Sequence, residues 1–171
     1  TLDVNQIGNT NKFLADVYAD SLTAFFEFDG DSNNYTLTID PDNTFGADGS
    51  DLNVVATGSS NTFTLDLGTT SLASNTDLDW IINGDSNAFD FNINYDGATN
   101  YVDVDGNSNN VNFTGSGYAG GYFYLDQTGN SRTFNVIQSS TLAADWLQIN
   151  STGSNGTICV VQNDGGTTTS C

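Results

Sequence analysis

A four-residue corner, Gly-x-x-Asn, recurs along this chain with apolar–polar alternation on both sides of it. Nothing else in the sequence restricts the fold as much. Its clearest copy is residues 78–93, LDWIINGDSNAFDFNI. Leu78, Trp80 and Ile82 alternate with their neighbours before Gly84, and Phe89, Phe91 and Ile93 alternate after Asn87. Period-two alternation flanking a short polar corner reads as strand, tight turn, strand. Glycine supplies the positive φ such a corner needs, and asparagine tolerates a left-handed conformation and hydrogen-bonds local backbone.

The corner occurs seven times, at Gly8, Gly30, Gly58, Gly84, Gly106, Gly129 and Gly153, spaced 22 to 28 residues apart. A fixed period of that size signals a solenoid or a related array. Aligned on the glycine, the third following residue is Asn11, Asn33, Asn61, Asn87 and Asn109, then Arg132 and Gly156. The second is Thr10, Ser32, Ser60, Ser86, Ser108, Ser131 and Asn155. The fifth is Phe13, Tyr35, Phe63, Phe89, Val111, Phe134 and Ile158, expected to face inward as a core column. Four residues before each glycine stand Val4, Phe26, Val54, Trp80, Val102, Leu125 and Ile149. Propeller blades need four strands and about 40 residues, and a sandwich does not need the same residue at the same corner in every repeat. A solenoid does, because equivalent positions stack at about 4.7–4.8 Å. The expected fold is therefore all-β, a single β-solenoid domain over residues 1–171 of about seven stacked two-strand rungs. Asn11, Asn33, Asn61, Asn87 and Asn109 are expected to form a side-chain amide ladder.

The connections are less regular. Residues 40–50 hold the only proline, Pro41, and are expected to leave the sheet because proline cannot donate to a ladder. Gly97-Ala98-Thr99-Asn100 reads as a second Gly-x-x-Asn corner, and residues 115–121, GSGYAGG, as a glycine-rich corner. The start at Thr1-Leu2, inside a repeat, predicts a processed, mature chain. Cys159 and Cys171 flank a short polar tail and are expected to pair within the chain in an oxidising compartment; two free thiols or a bond between subunits are the alternatives.

Charge excludes several partners. Twenty-one acidic residues stand against Lys12 and Arg132, for a net charge of −19. Nucleic acid and anionic membrane both call for a basic face, so neither is expected. No apolar run is long enough for a transmembrane helix. The scarcity of lysine and richness in Asn, Thr, Ser and Gly predict a secreted, extracellular protein.

Residues 2–13, LDVNQIGNTNKF, follow the pattern apolar-x-apolar-x-Gln-x-Gly-x-x-Asn-x-apolar. That pattern resembles the curlin repeat of curli-type bacterial amyloid subunits. Residues 123–138, FYLDQTGNSRTFNVIQ, are similar, with Gln127, Gly129 and Gln138, but Arg132 takes the asparagine position. At the Gln position the other repeats have Phe28, Ala56, Ile82, Val104 or Ser151. The resemblance implies a secreted β-solenoid subunit that stacks head to tail into extracellular fibres, with itself as partner and a polysaccharide or surface as a further contact.

No catalytic reading competes with this one. The chain has no His, so His-based triads and His metal sites are absent. Only carboxylates remain as acids or bases, and no enzyme activity is expected; a polysaccharide-acting β-helix enzyme is the third alternative, behind a monomeric binding module or adhesin. Glu27, Asp29, Asp103 and Asp105 should point outward as a solvated acidic surface. Residues 103–110, DVDGNSNN, resemble a fragment of a calcium loop without its distal Glu, which leaves room only for weak divalent-cation binding and no cofactor.

Overall fold

The alternation resolves into fourteen strands and no helix among the described residues. The computed structural model describes residues 1–18, 21–39, 49–68, 76–94, 99–117, 121–140 and 146–164. Residues 40–48 of the Pro41 insert, Gly97 and Ala98, residues 118–120 of the glycine-rich stretch, the linker at 141–145 and Cys171 lie outside them.

Each corner joins two strands of one rung. The rungs are β1 (Leu2–Ile7) with β2 (Lys12–Val17), β3 (Thr23–Asp29) with β4 (Asn34–Ile39), and β5 (Asp51–Thr57) with β6 (Thr62–Leu67). Then come β7 (Asp77–Asn83) with β8 (Ala88–Asn94), β9 (Thr99–Asp105) with β10 (Asn110–Gly117), β11 (Tyr122–Thr128) with β12 (Thr133–Ser140), and β13 (Trp146–Thr152) with β14 (Thr157–Asp164). The first strand of every rung enters one seven-stranded sheet, β1-β3-β5-β7-β9-β11-β13, and the second enters the other, β2-β4-β6-β8-β10-β12-β14. All pairings are parallel and in the register the corner alignment requires: Val54 pairs with Trp80 and Phe63 with Phe89. The chain is a β-solenoid.

The core is the narrow space between the two sheets, and it is filled by columns. Tyr35, Phe63, Phe89, Val111 and Phe134 are buried in one column, and Phe26, Val54, Trp80, Val102 and Leu125 in another. Rings stack down the first column: Tyr35 on Phe63 at 4.8 Å and Phe63 on Phe89 at 4.9 Å, with interplanar angles of 23° and 15°. These are one-rung spacings, so β-sheet pairing and ring stacking reinforce the same register. Phe13 is half-buried and Ile158 is 45% exposed, because each lies on an end rung with a neighbour on one side only.

Two connections differ from expectation. Gly115 and Gly117 belong to β10 rather than to a corner: Gly115 pairs with Ile93 on one side and Gln138 on the other. Gly115 is buried, and a residue without a side chain there leaves room for the wholly buried Gln138 one rung on. Asn100 is no corner residue either. It lies within β9, fully buried between Leu78 and Phe123 in the same column, and its Nδ2 donates to the Tyr122 carbonyl at 3.3 Å.

Candidate assembly site

The corner glycines carry φ between 126° and 147°. Their backbones stack so closely that a Cβ built on Gly84 would lie 2.0 Å from the Gly58 carbonyl oxygen. The left-handed residue of the corner is the second after glycine rather than the asparagine: Ser32, Ser60, Ser86 and Ser108 all have φ near 60°. Asparagine is released from that task and acts as a hydrogen-bond acceptor for the stack.

The asparagine ladder does not join amide to amide. Each Oδ1 accepts a backbone N–H from the asparagine of the preceding rung. Asn11 donates to Asn33 at 2.7 Å, and Asn33 to Asn61, Asn61 to Asn87 and Asn87 to Asn109 at 2.8 Å each. The corner bends the backbone away from plain sheet pairing, and a carboxamide replaces the missing carbonyl. Nδ2 in turn donates to a glycine carbonyl, as from Asn109 to Gly84 at 3.0 Å.

A second ladder, absent from the sequence reading, runs the opposite way. The residue after each glycine is Asn9, Asp31, Ser59, Asp85, Asn107, Asn130 or Ser154, and in the first six the side chain accepts the N–H of the equivalent residue in the following rung. Asp31 donates to Asn9 and Ser59 to Asp31 at 2.7 Å, Asn107 to Asp85 at 2.6 Å, and Ser154 to Asn130 at 2.9 Å. The signal was an acceptor side chain at that position in all seven repeats. In the corner after β7, every N–H from Gly84 to Ala88 therefore reaches a neighbouring rung: Gly84 to the Asp105 carbonyl, Asp85 to Ser59 Oγ, Ser86 to the Asn107 carbonyl, Asn87 to Asn109 Oδ1 and Ala88 to the Asn61 carbonyl. For the buried Asn87 such a partner is obligatory.

Arg132 interrupts the asparagine ladder. Its guanidinium is buried and reaches into the last rung, donating from Nη1 to the Thr152 carbonyl at 3.0 Å and from Nη2 to Ser151 Oγ at 3.2 Å. Burial pulls its pKa down. Gln127 is wholly buried beside it, with Oε1 accepting from Ser151 Oγ at 3.3 Å.

Among the described residues nothing covers β1 and β2 on one side or β13 and β14 on the other. Among the described residues, six of the eight exposed large hydrophobic ones belong to the two end rungs: Ile7 (74% exposed), Leu14, Tyr18, Trp146 (69%), Ile158 and Val160. Gln6, in the first rung, has a buried Oε1 with no hydrogen-bond partner.

The side faces differ in charge. Strands of the first sheet carry Asp3, Glu27, Asp29, Asp51, Asp77, Asp79, Asp103, Asp105 and Asp126, whereas those of the second carry Asp16, Asp66, Asp90 and Asp164 with Lys12. Outward residues are thus sorted by face rather than evenly mixed. Asp79 and Asp103 have raised pKa values, from burial first and from neighbouring carboxylates second. Tyr101 stacks on Tyr124 among them at 4.9 Å and 7°. Among the described residues no three of His, Cys, Asp and Glu are grouped to hold a metal ion. An apolar gap between the sheets, lined by Phe28, Tyr35, Phe63 and Trp80 among others, measures about 10 Å³, the size of one water at most. Cys159 lies on β14, and its expected partner Cys171 is outside the described residues.

Comparison with protein families, with curated proteins and with solved structures returned no match.

Proposed function

We propose that this chain is the structural subunit of a secreted, self-assembling extracellular fibre, built by stacking the first rung of one copy on the last rung of another. The observation that carries the reading is a pair of end rungs whose strand edges are unpaired among the described residues and whose core columns are left exposed at Ile158 and Val160. An unprotected edge is a template for another chain, and solenoids that stay monomeric cap their terminal repeats. The resemblance of residues 2–13 and 123–138 to curlin repeats points the same way. Repulsion opposes it, since every copy brings a charge of −19. Salt screens such charges within about 10 Å at 0.1 M, so assembly accelerates with added salt. Electron microscopy and light scattering across a salt series test this; a chain that stays monomeric at high salt and high concentration overturns it. Secretion fits a Cys159–Cys171 bond, which non-reducing intact-mass measurement reads as two hydrogens lost per chain.

One observation favours a second reading, a binding module. The stacked, part-exposed Tyr101 and Tyr124 rings beside Asp103 and Asp126 place aromatic surface and hydrogen-bond acceptors side by side, a combination suited to an extended ligand such as a polysaccharide. A monomeric chain retained on an immobilised polysaccharide would support that reading instead.

A further inference from the structure

We infer that the two open corners are hydrogen-bond complements, so that one copy docks on another in a single register with Gly153 of the first over Gly8 of the second. The inference rests on the self-assembly reading above and adds its geometry.

The argument extends the rule of the interior corners. A corner glycine donates to the carbonyl before the next corner, as Gly129 does to Thr152 at 3.0 Å. At the last rung Gly153 N–H has no such partner among the described residues, while Ile7 offers the equivalent carbonyl at the first. The next pair follows from Ser131 N–H, which donates to the Ser154 carbonyl at 2.9 Å: Asn155 N–H meets the Asn9 carbonyl. In the other direction Thr157 N–H donates to the Arg132 carbonyl at 2.7 Å, so Lys12 N–H meets the Gly156 carbonyl.

The two side-chain ladders then close across the junction. The asparagine ladder, broken at Arg132, resumes because Asn11 Oδ1 faces the first end with no preceding rung to supply an N–H, and Gly156 N–H fills that role. The outer ladder continues because Asn9 N–H needs an acceptor and Ser154 Oγ stands in its column. One end supplies what the other lacks at all five positions. The core columns agree in this register: Leu147 falls on Leu2, Ile149 on Val4, Ile158 on Phe13 and Val160 on Ala15, all apolar, whereas a slip of two would set Ile149 on Gln6. Ser151 falls on Gln6, whose buried Oε1 is without a partner. A slip of one residue turns every one of these side chains to the opposite face.

Cysteine pairs read the register directly. Asn5 and Asn150 lie in one outward column and become neighbours across the junction, within the Cα separation a disulfide spans. The double variant Asn5→Cys/Asn150→Cys, assembled and then oxidised, should give a ladder of covalent multimers on non-reducing gels. Asp3→Cys/Asn150→Cys, shifted by two residues, should give at least tenfold less, and neither single variant nor the unmodified chain should give any. Glu27→Cys/Val55→Cys is the internal control, because these residues already pair in the same column between β3 and β5. Filaments in which that control closes but Asn5→Cys/Asn150→Cys does not, or in which the shifted pair closes better, overturn the register and leave self-assembly standing. A chain that forms no filaments overturns both.

Discussion

Positions in this chain that look interchangeable on paper have unequal tasks. Gly84 and Ser86 both have positive φ, but only Gly84 is pressed against a neighbouring backbone. Gly84→Ala should cost more than the roughly 1–3 kcal/mol of backbone strain alone, because its Cβ meets a carbonyl that cannot move without shifting the rung. Ser86→Ala keeps a Cβ where one already fits, and its change should stay within about 0.5 kcal/mol. Denaturant melts of the two variants make the comparison; equal tolerance would contradict the stacking. Asn61→Ala removes the Oδ1 that accepts the Asn33 N–H at 2.8 Å, and it should cost about 1–3 kcal/mol through an unsatisfied buried donor. The glycines and asparagines were legible because they recur in identical form. The outer ladder was not, because Asn9, Asp31 and Ser59 share an acceptor rather than a residue type. Assigning the left-handed position to Asn87 rather than Ser86 followed the general preference of asparagine, which the ladder overrides.

For the strands, alternation was enough to set which side chains enter the core, since a two-sheet solenoid tolerates one register only. Phe89 is buried between Phe63 and Val111, and Phe89→Ala should cost about 3–5 kcal/mol in a thermal or chemical melt. What alternation could not show is where a strand stops. Gly115 and Gly117 are turn residues by habit, yet parallel pairing holds them extended, Gly115 between β8 and β12 and Gly117 against β12. Nor could it show that β7, β9 and β11 bring the Asp79 and Asp126 carboxylates close enough to act on Asp103. The carboxyls of Asp79 and Asp103 are raised above the ordinary 3.8, so between that value and their own the folded chain holds more protons than the unfolded one. Their contribution to stability therefore grows as pH falls through that window and is lost as pH rises. Melting temperature should climb, on this account, as pH is lowered from neutral toward 3.8; a steady fall would show that other carboxylates dominate. At the alkaline end Tyr35, pushed up to about 12 by burial first, keeps its proton while the unfolded residue loses it near 10, so stability should decline above pH 10.

The whole molecule was legible as a stack because seven copies of one corner can be satisfied together in few other ways. The sorting of acid onto the sheet built from β1, β3, β5, β7, β9, β11 and β13, by contrast, became visible only once the strands were laid side by side. That sheet order has a consequence for how the chain reaches this state. Every strand pairs with the strand two places earlier, and the cross-rung side-chain bonds at the corners span only 22 to 28 residues along the chain. No segment waits for the distant end of the polypeptide. A chain that emerges N-terminus first during its synthesis can thus set down a rung for each such length delivered, each on the one before. Shortening it by whole rungs from the C-terminal side should leave a cooperatively melting remainder, with stability falling in steps of similar size.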